Sequence, residues 1–425
     1  MSAGEETPRI PQVAQPRVTP GLVWRTVRHL RRDQIAGQVW SRLRRFGEWP
    51  AVLVPAEQDP FPGCRWAGII DVPPPGGCRQ EGKSLRAGRF RFLNETRVLG
   101  FPPDWQAQGA SHLWRYNLHY FEWLWDLGYD DARAVCLDWI ERHRLGRGQV
   151  GWEPYPTSLR LQSWLPLFFG RHREALEGDP ELTKALWTSV VRQVRWLLRR
   201  LERHIAANHL MENAVALTMA GACFAGDEPR AWQHAGRVLL ERQLAEQFLD
   251  DGLHYERTPS YHVRLLYALL VLAACEPEDW RDWLAPAIGP GLQALRHVVH
   301  PDGEVALFND SAFGVQPAPA ELFALARKLG FEVAAQESGP AAISLPRAGY
   351  HGIRTSEGDA LIVDAGAIGP DHQPGHGHAD MLSFELSVKG CRVVVDSGVG
   401  SYQDRRWRAY SRATAAHSTV EIAGE

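Results

Sequence analysis

The chain has 425 residues, enough for two or three domains with sizeable cores. Hydrophobic residues make up 44% and charged residues 23%, the balance of a globular chain and not of a disordered one. A net charge of -3 excludes the overall basic field of a nucleic-acid binder, and no apolar run reaches the roughly 18 residues of a transmembrane helix.

Residues 1–20 are polar and Pro-rich and read as a flexible tail without a charged-then-apolar secretory leader. Over 21–46, apolar residues recur at helical spacing among seven arginines and one aspartate. One helix is expected there, its basic face solvated in preference to lying on a membrane. Residues 50–112 change to Pro/Gly clusters, and within them 89–93 and 96–99 flank Asn94 and Glu95 as a small hairpin. The six cysteines include no CxxC pair, so neither a zinc ribbon nor a disulfide scaffold is indicated; only Cys64 and Cys78 share a short loop, and a bridge there is not favoured.

Helical periodicity dominates 113–330. Leu186, Val190, Val194, Leu197 and Leu201 form its clearest stripe, and short loops between segments predict antiparallel helix pairs. The only strand candidate in this region is 305–308. After Gly330 the period changes to short alternating or β-branched segments at 343–354, 360–365, 381–388, 392–396 and 418–422. No helix is expected between them, so the sheet is antiparallel. It stops in mid-sheet, and the expectation is a C-terminally truncated sandwich with an exposed edge.

Four polar clusters interrupt these patterns. NHLMEN (208–213) opens a helix, with Asn208 an N-cap candidate and His209 sharing a face with Glu212 or Asn213. DGLHYERTPSYH (251–262) is too rich in hydrogen-bonding side chains for a mere connector, and it places Tyr261 and His262 at a helix start. GHGHAD (375–380), if extended, projects His376, His378 and Asp380 to one side. His378, Asp396 and His417 supply two imidazoles and a carboxylate, a set suited to zinc with an open fourth position, and Asp380 is expected to orient one of those histidines from behind.

Together with WRYNLHYF (114–121), WEPYPTSLR (152–160), FNDS (308–311), GHGHADMLSFEL (375–386), VDSG (395–398) and the AHST around His417, these motifs make the chain resemble the heparinase II/III-like polysaccharide lyases over most of its length. The resemblance implies an incomplete (α/α) toroid over 113–330 followed by an antiparallel β-sandwich from 331, acting on an acidic polysaccharide by β-elimination. It implies that Asn208 and His209 face the uronate carboxylate and that Glu212 shares a proton with it. Tyr261 would give and sometimes take the proton, with His376 the base for one uronate epimer. His378, Asp396 and His417 would hold a zinc ion that is mainly structural. A cell-envelope or periplasmic location is implied as well, with the cytoplasm as the alternative given the N-terminus. Oligomeric state is not indicated.

Two other readings stay open. A glycoside hydrolase on the same toroid would need two carboxyls about 5–9.5 Å apart, and Asp251, Glu256 and Asp310 are the candidates. A carbohydrate-binding protein without activity would need aromatic platforms but no acid/base set.

Overall fold

The computed structural model describes residues 19–44, 60–66, 72–76, 79–145, 148–275, 277–333 and 339–422. The expected tail therefore lies outside the described residues but for its last two, as does Cys78. Cys64 is a free thiol whose sulfur lies 4.0 Å from that of Cys223. The expected helix over 21–46 is two helices, α1 (Pro20–Val27) and α2 (Arg32–Arg44), separated by a turn. Val23, Trp24 and Val27 on α1 and Ile35, Val39, Trp40 and Leu43 on α2 face solvent, Trp24 at 69% and Trp40 at 55% exposed, while Gln34 is buried and donates to the His372 carbonyl. A short α3 (Gly82–Arg86) precedes the expected hairpin of β1 (Arg89–Phe92) and β2 (Glu95–Val98). Leu93 and Asn94 both carry positive φ at its tip, as the tight two-residue turn of a hairpin requires.

The helical region contains α4 (His112–Tyr120), α5 (Tyr129–Arg142), α6 (Pro154–Pro166), α7 (Arg173–Glu177), α8 (Pro180–Arg199), α9 (Ala207–Cys223), α10 (Asp227–Gln247), α11 (Pro259–Cys275), α12 (Pro277–His297) and α13 (Pro319–Lys328). Segments begin where Pro can occupy a first turn, as in α6, α8 and α13. The α8 stripe points inward as its spacing predicts, with Leu186, Val190, Val194 and Leu197 fully buried. Almost every residue of α9 and α11 is buried, so these two helices form the inner layer of the toroid. Residues 305–308 form no strand and contribute only an isolated bridge from Val305 to Val299.

The second region is one antiparallel sheet, β3 (Ala341–Leu345), β4 (Tyr350–Arg354), β5 (Ala360–Asp364), β6 (Ser383–Val388) and β7 (Cys391–Val394), in simple meander order. Side chains alternate between faces, so Ala360, Ile362 and Asp364 on β5 and Ser383, Glu385 and Ser387 on β6 are buried together. Among the described residues there is no second sheet layer. Two expectations are corrected here. Residues 418–422 form no strand, and a helix, α14 (Arg405–Ser411), does follow β7 because Asp404 caps it by accepting from the backbone of Arg406 and Trp407.

Polar contacts tie the sheet to the toroid. An Asp251 carboxylate oxygen accepts from the backbone nitrogens of Arg347 and Ala348 at 2.7 and 2.8 Å, and Arg257 donates to the Ala348 carbonyl at 3.0 Å. On the buried face of β6, Ser387 bonds His300 at 2.7 Å and Glu385 accepts from the Leu307 backbone nitrogen at 3.1 Å. Buried polar groups of this kind must be satisfied, so the two regions are held in a defined mutual position.

Candidate active site

The inner helices begin where toroid and sheet meet. Asn208 is not the cap of α9; Ala206 occupies that place at φ 60 and ψ -146, followed by Ala207 at φ 49. Such angles cost alanine about 1–3 kcal/mol each and recur where a functional side chain must be aimed. The entry they make places Asn208 within the first turn, 1% exposed. Its Nδ2 donates to Glu256 Oε2 at 3.3 Å and lies 3.5 Å from His376 Nε2.

Tyr261, in the first turn of α11, approaches the same point from the side. Its ring centroid is 4.2 Å from that of His376, and its hydroxyl is 3.1 Å from the Tyr402 hydroxyl. Burial, with the nearby Asp310 charge, holds the Tyr261 phenol above its ordinary value, so it is a proton donor at neutral pH. GHGHAD is a bent loop and not an extended strand, yet both histidines reach one carboxylate. Asp310 Oδ2 is 2.7 Å from His376 Nδ1, Asp310 Oδ1 is 2.8 Å from His378 Nε2, and Arg408 pairs with both oxygens. Burial alone would push the Asp310 carboxyl up; the bonds from His376, His378 and Arg408 pull it well below the usual range. Burial likewise disfavours charge on His376, but the Glu256 and Asp310 carboxylates outweigh it and raise its pKa.

His209 borders this centre. Its ring stacks on Tyr155 at 4.2 Å, and its Nδ1 bonds Glu202 Oε1 at 3.0 Å, while Glu202 is itself held by Asn213. Nε2 is then the nitrogen left for a ligand. Glu212 stands apart from the expected role of sharing a proton with substrate. It is fully buried, its Oε1 takes Arg264 Nε at 2.9 Å and its Oε2 takes Gln162 Nε2 at 2.7 Å, and Arg264 pairs with Glu122 as well. A carboxylate so compensated positions α9 against its neighbours.

The expected metal set is altered in one member. His378 Nδ1, Asp380 Oδ2 and His417 Nε2 are buried without any hydrogen-bond partner, and donor atoms of these three residues lie within 4.8 Å of one another. Asp396 turns away: its Oδ2 accepts from His417 Nδ1 at 2.7 Å and from Ser383, and its Oδ1 accepts the Gly398 N–H. Asp380 thus takes the ligand place foreseen for Asp396, and Asp396 the orienting place foreseen for Asp380. Each imidazole is held from behind by a carboxylate, Asp310 for His378 and Asp396 for His417, which leaves the opposite nitrogen as the lone-pair donor. Two nitrogens and one carboxylate oxygen with an open position suit a tetrahedral zinc ion.

The hydrolase candidates do not form a working pair. Asp251 is spent on backbone N–H groups at the junction, and Asp310 is locked by two histidines and an arginine. Glu256 is buried beside Asn208, its pKa raised by that burial. Tyr402 and Arg408 were missed in the sequence, as was the true part of Asp310. SYQDRRWR, which follows VDSG closely and is rich in aromatic and Arg residues, was the available signal.

A helical toroid region, an antiparallel sheet and a Tyr/His/Asn cluster where the two meet define a toroid-plus-sheet fold. Family profiles make this specific: the heparinase II/III N-terminus matches residues 104–313, and the heparinase II/III-like C-terminal domain matches 337–425. The chain belongs to the heparinase II/III-like family. A heparin-sulfate lyase of Pedobacter heparinus is 24% identical over 67% of this chain and 46% of its own length. FtsZ-localized protein C of Caulobacter vibrioides is 27% identical over 96% of this chain and 67% of its own. The crystal structure of a heparinase III superposes with a TM-score of 0.61 at 18% identity, covering 76% of this chain and 57% of that one. The chain thus spans about half the length of the heparin-sulfate lyases it matches.

Proposed function

We propose that this protein is a polysaccharide lyase that cleaves a uronic-acid polymer by β-elimination. The observation that carries the reading is the convergence of Asn208, Tyr261 and His376 between toroid and sheet, beside two buried oxygens without a hydrogen bond, Asn208 Oδ1 and Glu256 Oε1, the latter 3.6 Å from His376 Nε2. Unsatisfied buried polar atoms are costly unless a ligand engages them. In this reading the uronate carboxylate lies against Asn208 and His209 Nε2, whose donors stabilise the negative charge that spreads onto it as the C5 proton leaves. His376 takes that proton, and the Tyr261 hydroxyl gives one to the departing glycosidic oxygen. Tyr402 holds the phenol in line, and Asp310 holds the His376 ring.

The metal site supports this arrangement from the side. His378, Asp380 and His417 would hold a zinc ion, which would fasten the GHGHAD and AHST loops together. Through Asp310, His378 then bears on His376. Uronate polymers are envelope or extracellular materials, and we place the activity there.

The test is incubation with a panel of uronate polysaccharides. Elimination generates a conjugated double bond that absorbs in the ultraviolet, one for every bond cut. Reducing ends without that absorbance would mean hydrolysis and overturn the reading. FtsZ-localized protein C, similar along nearly the whole chain, is not named as an enzyme, which supports a second reading in which the cleft holds a glycan without cutting it. Binding without either product would establish that one.

A further inference from the structure

Helix α2 is attached to the body by the side that globular packing would leave in water. Gln34 is buried and donates to the His372 carbonyl at 3.3 Å, and a Cβ on Gly37 would lie 3.0 Å from the His204 Cβ. Just ahead of the helix, Arg31 pairs with Glu246. On the opposite side Ile35, Val39 and Leu43 recur every four residues as one stripe, with Trp40 at its edge, and all four face solvent. Helix α1 repeats the pattern. Val23, Trp24 and Val27 share about a third of its circumference, and each is at least 40% exposed. A surface helix normally turns such a stripe to the core, so apolar side chains gathered outward on two successive helices mark a contact face.

The same segment is basic. Residues 19–44 contain six arginines against one aspartate, a net +5 within a chain total of -3, which leaves -8 on the rest. Arg25 and Arg28 border the α1 stripe, Arg32 heads the α2 stripe and Arg42 lies beside it, all four exposed. A solvated basic face accounts for these arginines but not for the apolar residues between them. A second copy meeting the face would set two positive patches against each other. An anionic bilayer takes both features. Apolar side chains enter the boundary between headgroups and acyl chains, Trp settles at that depth with its N–H in water, and guanidinium groups stay level with the lipid phosphates.

We infer that α1 and α2 form a peripheral anchor that seats the protein on an anionic lipid bilayer. Helices of 8 and 13 residues rise about 12 and 20 Å, short of a hydrocarbon core of about 30 Å, so the anchor lies on the membrane and does not span it. It also reaches towards the cleft, because His372, which accepts from Gln34, stands four residues before His376 on the same loop. The inference does not depend on the lyase reading.

Co-sedimentation of the full chain with lipid vesicles tests this. Vesicles of equal parts phosphatidylglycerol and phosphatidylcholine should bind it at least about tenfold more tightly than phosphatidylcholine alone. The difference should shrink between about 0.1 and 1 M salt, where the screening length falls from about 10 to 3 Å. Trp24→Glu combined with Val39→Glu should weaken binding to the anionic vesicles at least about tenfold. Arg25→Gln combined with Arg28→Gln leaves both stripes intact and should weaken it roughly 25-fold, at about fivefold per charge. The arginine pair decides the matter if the glutamate variant does not fold. Undiminished binding in either variant at the wild-type thermal midpoint overturns the proposal, as does equal binding to both kinds of vesicle or binding to neither. A dimer that the same glutamates dissociate, formed without any vesicle binding, would assign the face to a second copy and overturn it too.

Discussion

Tyr261 meets Tyr402 through its hydroxyl and His376 through its ring, so one substitution separates chemistry from shape. Tyr261→Phe keeps the ring and should lower kcat about 10²–10⁴-fold, the usual loss for a proton-transfer group, with KM nearly unchanged in initial-rate ultraviolet assays. Asn208→Ala should cost about 3–4 kcal/mol of transition-state stabilisation in the same assay, as for an oxyanion-type donor. Retention of wild-type kcat by either variant would remove that residue from the mechanism. These two residues and His376 were legible because each sits in a motif whose residue types suit the chemistry. The exchange of Asp380 for Asp396 was not legible. Which carboxylate faces the candidate metal site depends on which nitrogen of His417 is already engaged, and that is set by a contact 21 residues away in the chain. Asp310 was read only as a candidate acid because its partners, His376, His378 and Arg408, all lie more than 60 residues further on.

Helix α9 carries Asn208 and His209, and its position depends on how closely α10 approaches it. A Cβ on Gly221 would lie 2.3 Å from the Gln233 backbone nitrogen, and one on Gly236 would lie 2.5 Å from the Thr218 backbone nitrogen. In an open helix Gly→Ala stabilises by roughly 1 kcal/mol. Here backbone stands in the way, so Gly221→Ala should instead destabilise by about 1–3 kcal/mol, the cost of overpacking, measured as a lower denaturant midpoint. A stabilised Gly221→Ala protein would show that the two helices are free to part. The helices themselves were legible from period and Pro starts, and so was the change to strands after Gly330. The break between α1 and α2 was missed because apolar spacing runs on through it. Helix α14 was missed because its seven residues, about two turns capped by Asp404, are too few to show a period.

For the molecule as a whole, two conditions should govern stability. If His378, Asp380 and His417 hold zinc, a chelator should lower the melting temperature and added zinc should restore it. The ion contributes about 2.7 kcal/mol when present at roughly 100 times its Kd. Asp380→Asn should abolish the response, whereas a response surviving in that variant would exclude Asp380 as a ligand. Acid should act separately through His262. Its Nδ1 accepts from the His254 N–H and its Nε2 donates to the Gly291 carbonyl, so the neutral ring is satisfied on both sides, and burial lowers its pKa to about 4. The unfolded chain, near 6.5, takes up the proton first. Stability is therefore complete above about pH 6.5 and falls towards pH 4, by up to about 1.4 kcal/mol per unit for this residue. A melting temperature flat across that range would contradict it. Fold class and the order of the two regions were legible in the sequence, with the sheet present as one antiparallel layer among the described residues.

The proposed reacting groups are divided between the two regions: Asn208 and Tyr261 come from the toroid, His376 and Tyr402 from the loops of the sheet, and Asp310 spans the boundary. Neither region inherits a complete site alone. A chimera joining this toroid to a relative's sheet would keep its folded halves and lose its chemistry unless the partners of Asp310 travelled with the exchange. The two regions form one matched site, and loosening the Asp251 bonds to Arg347 and Ala348 should disturb the cleft by shifting the sheet that carries half of it.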